Sequence, residues 1–217
     1  MVESNRGILI YAERKGWPTQ STTAAMAILY QLGLELALKR NHSVQDIKKY
    51  QSELQQIPTT VQKVLNEVND DILNLAKIEA QKNVYLFAGG GPAYVCALIG
   101  AAKVKECSPD HAISIPLEEF HHYNSQKTGD PLVLIAPKGP SVPRALDTAR
   151  EGKRWGGQVY SVVTHGDDRL VNDSDQVIRL PEVSEAFTPM VYTIPVQLYA
   201  YHLAMEKFRL AEERMTK

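Results

Sequence analysis

The chain has 217 residues, 44% hydrophobic and 23% charged, ordinary values for one full domain with an appendage or for two small domains. Its 24 Lys and Arg against 25 Asp and Glu leave a formal net charge of -1. That balance gives no general attraction to nucleic acid or to an anionic membrane, so an anionic ligand must be held by a local site.

The first apolar run, GILIYA over residues 7–12, has the texture of a strand, broken by Gly16, Trp17 and Pro18. A strand so isolated must pair with something. Thr19 to Thr23 supply hydroxyl caps for an apolar helix over 24–38, which ends in Lys39 and Arg40 where cations suit a helix C-terminus. We expect it to be mostly buried. Residues 43–56 and 59–81 read as two further helices with Pro58 as the break between them.

From Asn83 onward, apolar strand runs at 84–88, 111–115, 132–136, 158–163 and 176–180 alternate with helical stretches. The helices span 92–106, 142–155 and about 188–214, the last with a start blurred by Pro189 and Pro195. Alternation of this kind predicts an α/β fold, a parallel five-stranded sheet covered on both faces in a Rossmann-like three-layer sandwich. Cys96 and Cys107 lie eleven residues apart, beyond disulfide reach on a helix. With no signal peptide and no run of about 18 uninterrupted apolar residues, the chain reads as soluble and cytoplasmic with reduced thiols.

Ligands of open parallel sheets bind beyond the carboxyl ends of the strands. The first such loop is Gly89, Gly90 and Gly91 followed by Pro92, a glycine turn entering a helix. Tyr94 occupies the sixth position of a G-x-G-x-x-G pattern and no Gly-Lys-Ser/Thr ending follows, which excludes the dinucleotide and P-loop fingerprints. Either a tight packing turn or a ligand contact fits the glycines. The second place joins Lys103, Lys105 and Glu106 at the end of one helix to PLEEFHHY after the next strand. One helix end, one strand and one turn can bring Glu106 and His122 to a shared rim, a carboxylate base beside an imidazole. A solvated charged face explains the same residues, and a metal set of Cys107, His111, His121 and His122 matches no usual ligand spacing. The third place is the loop of Lys138, Ser141 and Arg144, either a phosphate cradle or a bare proline-rich helix start. The His165-Gly-Asp-Asp stretch reads as a turn, and His202 as a core or interface histidine.

Taken together, VYLFAGGGPAYVCALIGAAKVKE, HAISIPLEEFHH, LVLIAP, GGQVYSVV and LPEVSEAFTPMVYTIPVQLYAYHLAMEK resemble the sugar isomerase (SIS) domain family, in particular the tandem isomerase region of glucosamine-6-phosphate synthases and fructosamine-6-phosphate deglycases. The resemblance covers about residues 83–207. It implies a remnant of a first SIS domain at 1–40, a helical connector at 41–82 and an SIS domain at 83–217. It also implies that Glu106 is the base moving a proton between C1 and C2 of an open-chain sugar phosphate. His122, in the E-x-x-H motif with Glu119, would help open the ring, often across a dimer.

Gly89, Gly90, Gly91 and Glu119, with Thr19 and Thr22 as survivors of the first domain's rim, are then the substrate contacts. Aldose-ketose proton transfer or amine release from an amino sugar phosphate needs no metal or organic cofactor, and no nucleic-acid or membrane partner is implied. A catalytically inactive sugar-phosphate-binding or dimerising SIS domain is the alternative. Three departures stand out. Tyr123 and Asn124 replace the Gly-Pro that usually follows the histidine, the first domain's phosphate loop is not in this sequence, and the synthase's tail lysine has no equivalent. The chain therefore reads as the C-terminal part of a larger enzyme.

Overall fold

The computed structural model describes residues 7–12, 18–123 and 126–216. They fall into two units, Met1–Ile57 and Pro58–Lys217.

The first unit holds α1 (Gln20–Lys39) and the beginning of α2 (Val44–Glu79). Residues 7–12 carry no regular secondary structure, and Ile8, Leu9 and Tyr11 are exposed, so the expected strand does not form among the described residues. Gly16 and Trp17 lie outside the described residues. The expectation of a buried first helix is also corrected, because α1 has no buried residue. Its apolar side chains are spread around the helix, and one neighbouring helix and a short segment cannot cover all sides at once. By length and composition α1 is apolar enough to cross a membrane, even though Gln31 and Glu35 interrupt its apolar run.

Pro58 does not end a helix. It sits inside the 36-residue α2, which continues through the loss of one N–H bond even though β-branched Ile57, Thr59, Thr60 and Val61 flank the proline. Beyond it, Val64, Val68, Ile72 and Leu75 recur at three and four spacing and are buried, anchoring the later turns.

The second unit continues with β1 (Val84–Gly89), α3 (Pro92–Cys107), β2 (His111–Pro116), α4 (Leu117–Tyr123), β3 (Pro131–Ala136), α5 (Val142–Arg154), β4 (Gln158–Thr164), β5 (Gln176–Leu180), α6 (Thr188–Val191) and α7 (Thr193–Met215). All pairings are parallel, and the five strands lie in the order β2-β1-β3-β4-β5. β3 is buried along its whole length, as a central strand covered on both faces must be, whereas edge strand β2 exposes His111 and Ile113.

The strand order decides which face each helix takes. From β1 the chain steps outward to β2, then returns past β1 to β3, so the two right-handed crossovers run in opposite directions and put their helices on opposite faces. α3 accordingly packs with α6 and α7, while α4 and α5 pack with each other on the far side. On that far side, Leu86, Leu117, Phe120, Leu134, Ala145 and Val163 share one core. On the α7 side, Phe87 meets Tyr199 edge-on and Glu79 of α2 accepts the Tyr160 hydroxyl. Two local readings change: LEEFHHY forms a helix where a turn was expected, and the last helix is interrupted at Tyr192 between α6 and α7.

Candidate functional site

Strand order reverses between β1 and β3, and a cavity of about 530 Å³ opens there beyond the carboxyl ends of the strands. The glycine loop, Tyr94, Leu117, Glu118, Ser141 and Arg144 line it. Two glycines are required by geometry. A Cβ on Gly89 would come within 2.6 Å of the Ala93 carbonyl oxygen, and Gly91 has φ of 55° with ψ of -133°, a conformation open only to glycine. The chain thereby turns sharply enough to start α3 at Pro92 against the sheet.

Ser141 stands at the head of α5 beside Gly90, and Arg144 follows in that helix's first turn. The Arg144 guanidinium contacts the carboxylate of Glu118 from α4, with Asp147 a further 3.9 Å away. Glu185 approaches the opposite rim, with Oε1 3.5 Å from where a Gly91 Cβ would lie. Lys138, which a phosphate cradle would group with Ser141 and Arg144, donates instead to Glu182 at 3.1 Å. The α4 residue in the cavity wall is Glu118, and Glu119 follows it about 100° around the helix.

The other expected residue, Glu106, stands at the opposite end of α3. Its Oε2 receives a hydrogen bond of 2.6 Å from the Nζ of Lys103, whose side chain is 7% exposed against 39% for the glutamate. The ammonium thus fixes the carboxylate without covering it, and charge-assisted bonds of this length are the strong ones. In the sequence Lys103 reads as one of several surface charges; only its burial marks it as the partner of Glu106.

Within one chain Glu106 and His122 lie on opposite faces of the sheet, whereas the sequence left open a shared pocket within a subunit or across a dimer. Fourteen residues of α3 separate Pro92 from Glu106, a rise of roughly 21 Å, which puts the carboxylate at the amino edge of the sheet, far from the glycine loop. His122 lies exposed near the end of α4, on the other face. α4 carries Glu118 and His122 and reaches the glycine loop through Leu117 beside Gly90, whereas Glu106 is apart from all three.

The remaining candidates are placed as follows. Thr19 and Thr22 belong to the first unit, and the Thr22 hydroxyl donates to the Pro18 carbonyl at 3.0 Å. The imidazole of His121 is 3.3 Å from the Thr148 hydroxyl, and that of His202 is 2.9 Å from Asn69 Oδ1, with burial holding His202 below its ordinary value. Cys96 and Cys107 are free thiols on α3, both pushed up by burial. Among the described residues, no three His, Cys, Asp or Glu side chains gather as a metal site. Asn124 lies outside the described residues.

Comparison with known proteins adds four matches. A sequence profile described as the SIS domain matches residues 77–207. Glutamine–fructose-6-phosphate aminotransferase (isomerizing) of Bacteroides thetaiotaomicron is 34% identical over 194 residues, covering 87% of this chain and 31% of that protein. The chain thus spans about a third of the length of the curated relatives it matches.

Among solved structures, the C-terminal domain of glucosamine-fructose-6-phosphate aminotransferase from Francisella tularensis superposes with a TM-score of 0.82 at 28% identity, over 88% of this chain and 55% of that one. The Vibrio vulnificus NanR protein, solved in complex with ManNAc-6P, shares the fold, with a TM-score of 0.56 at 13% identity over 85% of this chain and 69% of that one.

Proposed function

The chain belongs to the SIS domain family, related to the C-terminal region of glutamine–fructose-6-phosphate aminotransferases, and on that premise we propose that it is a phosphosugar isomerase module acting on an amino sugar phosphate as a homodimer in the cytoplasm. The observation that carries this reading is the Lys103–Glu106 pair, an accessible carboxylate fixed by a buried ammonium at the position where the family resemblance expects the base.

In this reading each site is shared between two copies. One copy supplies the cavity with Gly89, Gly90 and Gly91, which receives the phosphorylated end of the open-chain sugar, and His122 on the adjoining α4. The second copy supplies Glu106. The geometry of one chain supports that division, because α4 carries both Glu118 of the cavity wall and His122, while Glu106 stands at the far end of α3 on the opposite face.

The chemistry asks for little more. Glu106 removes the proton from C2 of an aldose, or C1 of a ketose, and returns it to the neighbouring carbon; His122 donates a proton to, or accepts one from, the ring or carbonyl oxygen. For a fructosamine phosphate the same two groups move the C1 proton to C2 to give a C1 imine, which water hydrolyses to the aldose phosphate and the free amine. Glu119 and, in the first unit, Thr19 and Thr22 are the remaining proposed substrate contacts.

The test is deuterium exchange at C1 of fructose 6-phosphate or C2 of glucosamine 6-phosphate in heavy water. Exchange by the wild-type chain that vanishes in Glu106→Gln supports the isomerase; no exchange at high protein concentration overturns it in favour of an inactive binding module.

A further inference from the structure

We propose that the contact between Arg144 and Glu118 is an internally occupied anion seat, in which the Glu118 carboxylate rests on the guanidinium that receives the phosphate of a sugar phosphate and is displaced when that substrate enters. The inference rests on the reading of the glycine-loop cavity as a substrate site and adds a device that controls entry to it.

The charges around the cavity motivate the idea. Arg144 is the cation among its lining residues, and it is engaged by Glu118, while Glu185 adds a second carboxylate at the Gly91 rim. With Glu118 in place, an arriving anion meets an arginine already neutralised. Yet the guanidinium is incompletely satisfied. Its Nε is buried without a hydrogen-bond partner among the described residues, and Asp147 lies at the distant 3.9 Å from Nη1. The terminal nitrogens Nη1 and Nη2 still have donors to offer a ligand with more acceptor atoms than a single carboxylate.

The two partners differ in how freely they move. The Arg144 side chain is 34% exposed, whereas that of Glu118 is 70% exposed and reaches in from α4, whose buried positions are Leu117 and Phe120. Swinging Glu118 into solvent therefore leaves the core contacts of α4 intact. An exposed ion pair of this kind holds the closed state by about fivefold at most. A phosphate monoester carries up to two negative charges and three acceptor oxygens at neutral pH, and a guanidinium can bind it in bidentate fashion. It can evict Glu118, while a neutral sugar has no charge with which to do so. The contact thus biases the cavity toward phosphorylated sugars.

Titration of the intact chain with inorganic phosphate, followed by calorimetry and by the amide signals of Gly89, Gly90 and Gly91, tests the proposal. Glu118→Gln is expected to bind phosphate about two- to fivefold more tightly than wild type. Arg144→Gln should lose binding, and the double variant should behave as Arg144→Gln alone. Equal or weaker binding by Glu118→Gln, with Arg144→Gln still defective, overturns the guarding role and leaves the substrate-site reading standing. Failure of both wild type and Glu118→Gln to saturate overturns the substrate-site reading itself, and the proposal with it.

Discussion

Lys103 and Glu106 meet on the last turn of α3, with Nζ 2.6 Å from Oε2, the lysine buried and the glutamate open to solvent. A buried ammonium needs a counter-charge, and here the counter-charge is the carboxylate expected to move a proton.

The first prediction follows from that dependence. Replacing a general base in place typically costs about 10²–10⁴-fold in rate, so Glu106→Gln should lower deuterium exchange into fructose 6-phosphate by that order while binding is retained. Lys103→Met should lower the same rate by about tenfold or more through loss of orientation, with little change in KM. An unchanged rate in Lys103→Met would show that the carboxylate orients itself.

Gly91→Ala forces an L side chain into a backbone conformation reserved for glycine, and Gly89→Ala drives a methyl group onto the Ala93 carbonyl. Each should cost about 1–3 kcal/mol in unfolding free energy, read from urea titration, and each should weaken phosphate binding at the cavity. Gly139→Ala, where the nearest atom is 3.9 Å away, serves as the control and should change neither.

The third prediction concerns pH. Glu79 is fully buried, with one carboxylate oxygen accepting from Tyr160 and the other unpaired among the described residues. Burial raises its value above the ordinary 4.5, Tyr160 and Lys82 oppose that rise, and Asp175 adds to it. An acid whose folded-state value is raised contributes stability that is fully present below its unfolded value and lost as pH rises through the folded one. Wild type should therefore lose stability as pH climbs above the ordinary glutamate range. Glu79→Gln keeps an acceptor for Tyr160 and should show a flatter profile by denaturant titration across the same range; parallel profiles would rule out Glu79 as the titrating group.

Much of the sheet was legible in the sequence. The runs VYLFA, LVLIA and QVYSVV are short, mostly apolar and rich in β-branched or aromatic residues, and they fall within β1, β3 and β4 with ends shifted by no more than one residue. Other features were hidden for physical reasons. Pro58 carries the signature of a helix break, but a single lost hydrogen bond is outweighed by the buried row from Val64 to Leu75. LEEFHHY is too short for its periodicity to distinguish helix from turn. The placement of Glu106 and His122 on opposite faces depends on β2 being an edge strand and β3 lying on the other side of β1, and residue spacing carries no information about strand order. Spacing also missed Glu118, because Arg144, its partner, is 26 residues away.

Mixing two inactive variants tests the shared site most directly. Glu106→Gln and His122→Asn are each expected to lose deuterium exchange alone. After subunit exchange, half of the dimers should be mixed and each should hold one intact site, restoring about a quarter of wild-type activity. A mixture no more active than its two components, under conditions where mixed dimers are shown to form, contradicts the assignment of Glu106 and His122 to one site built from two copies.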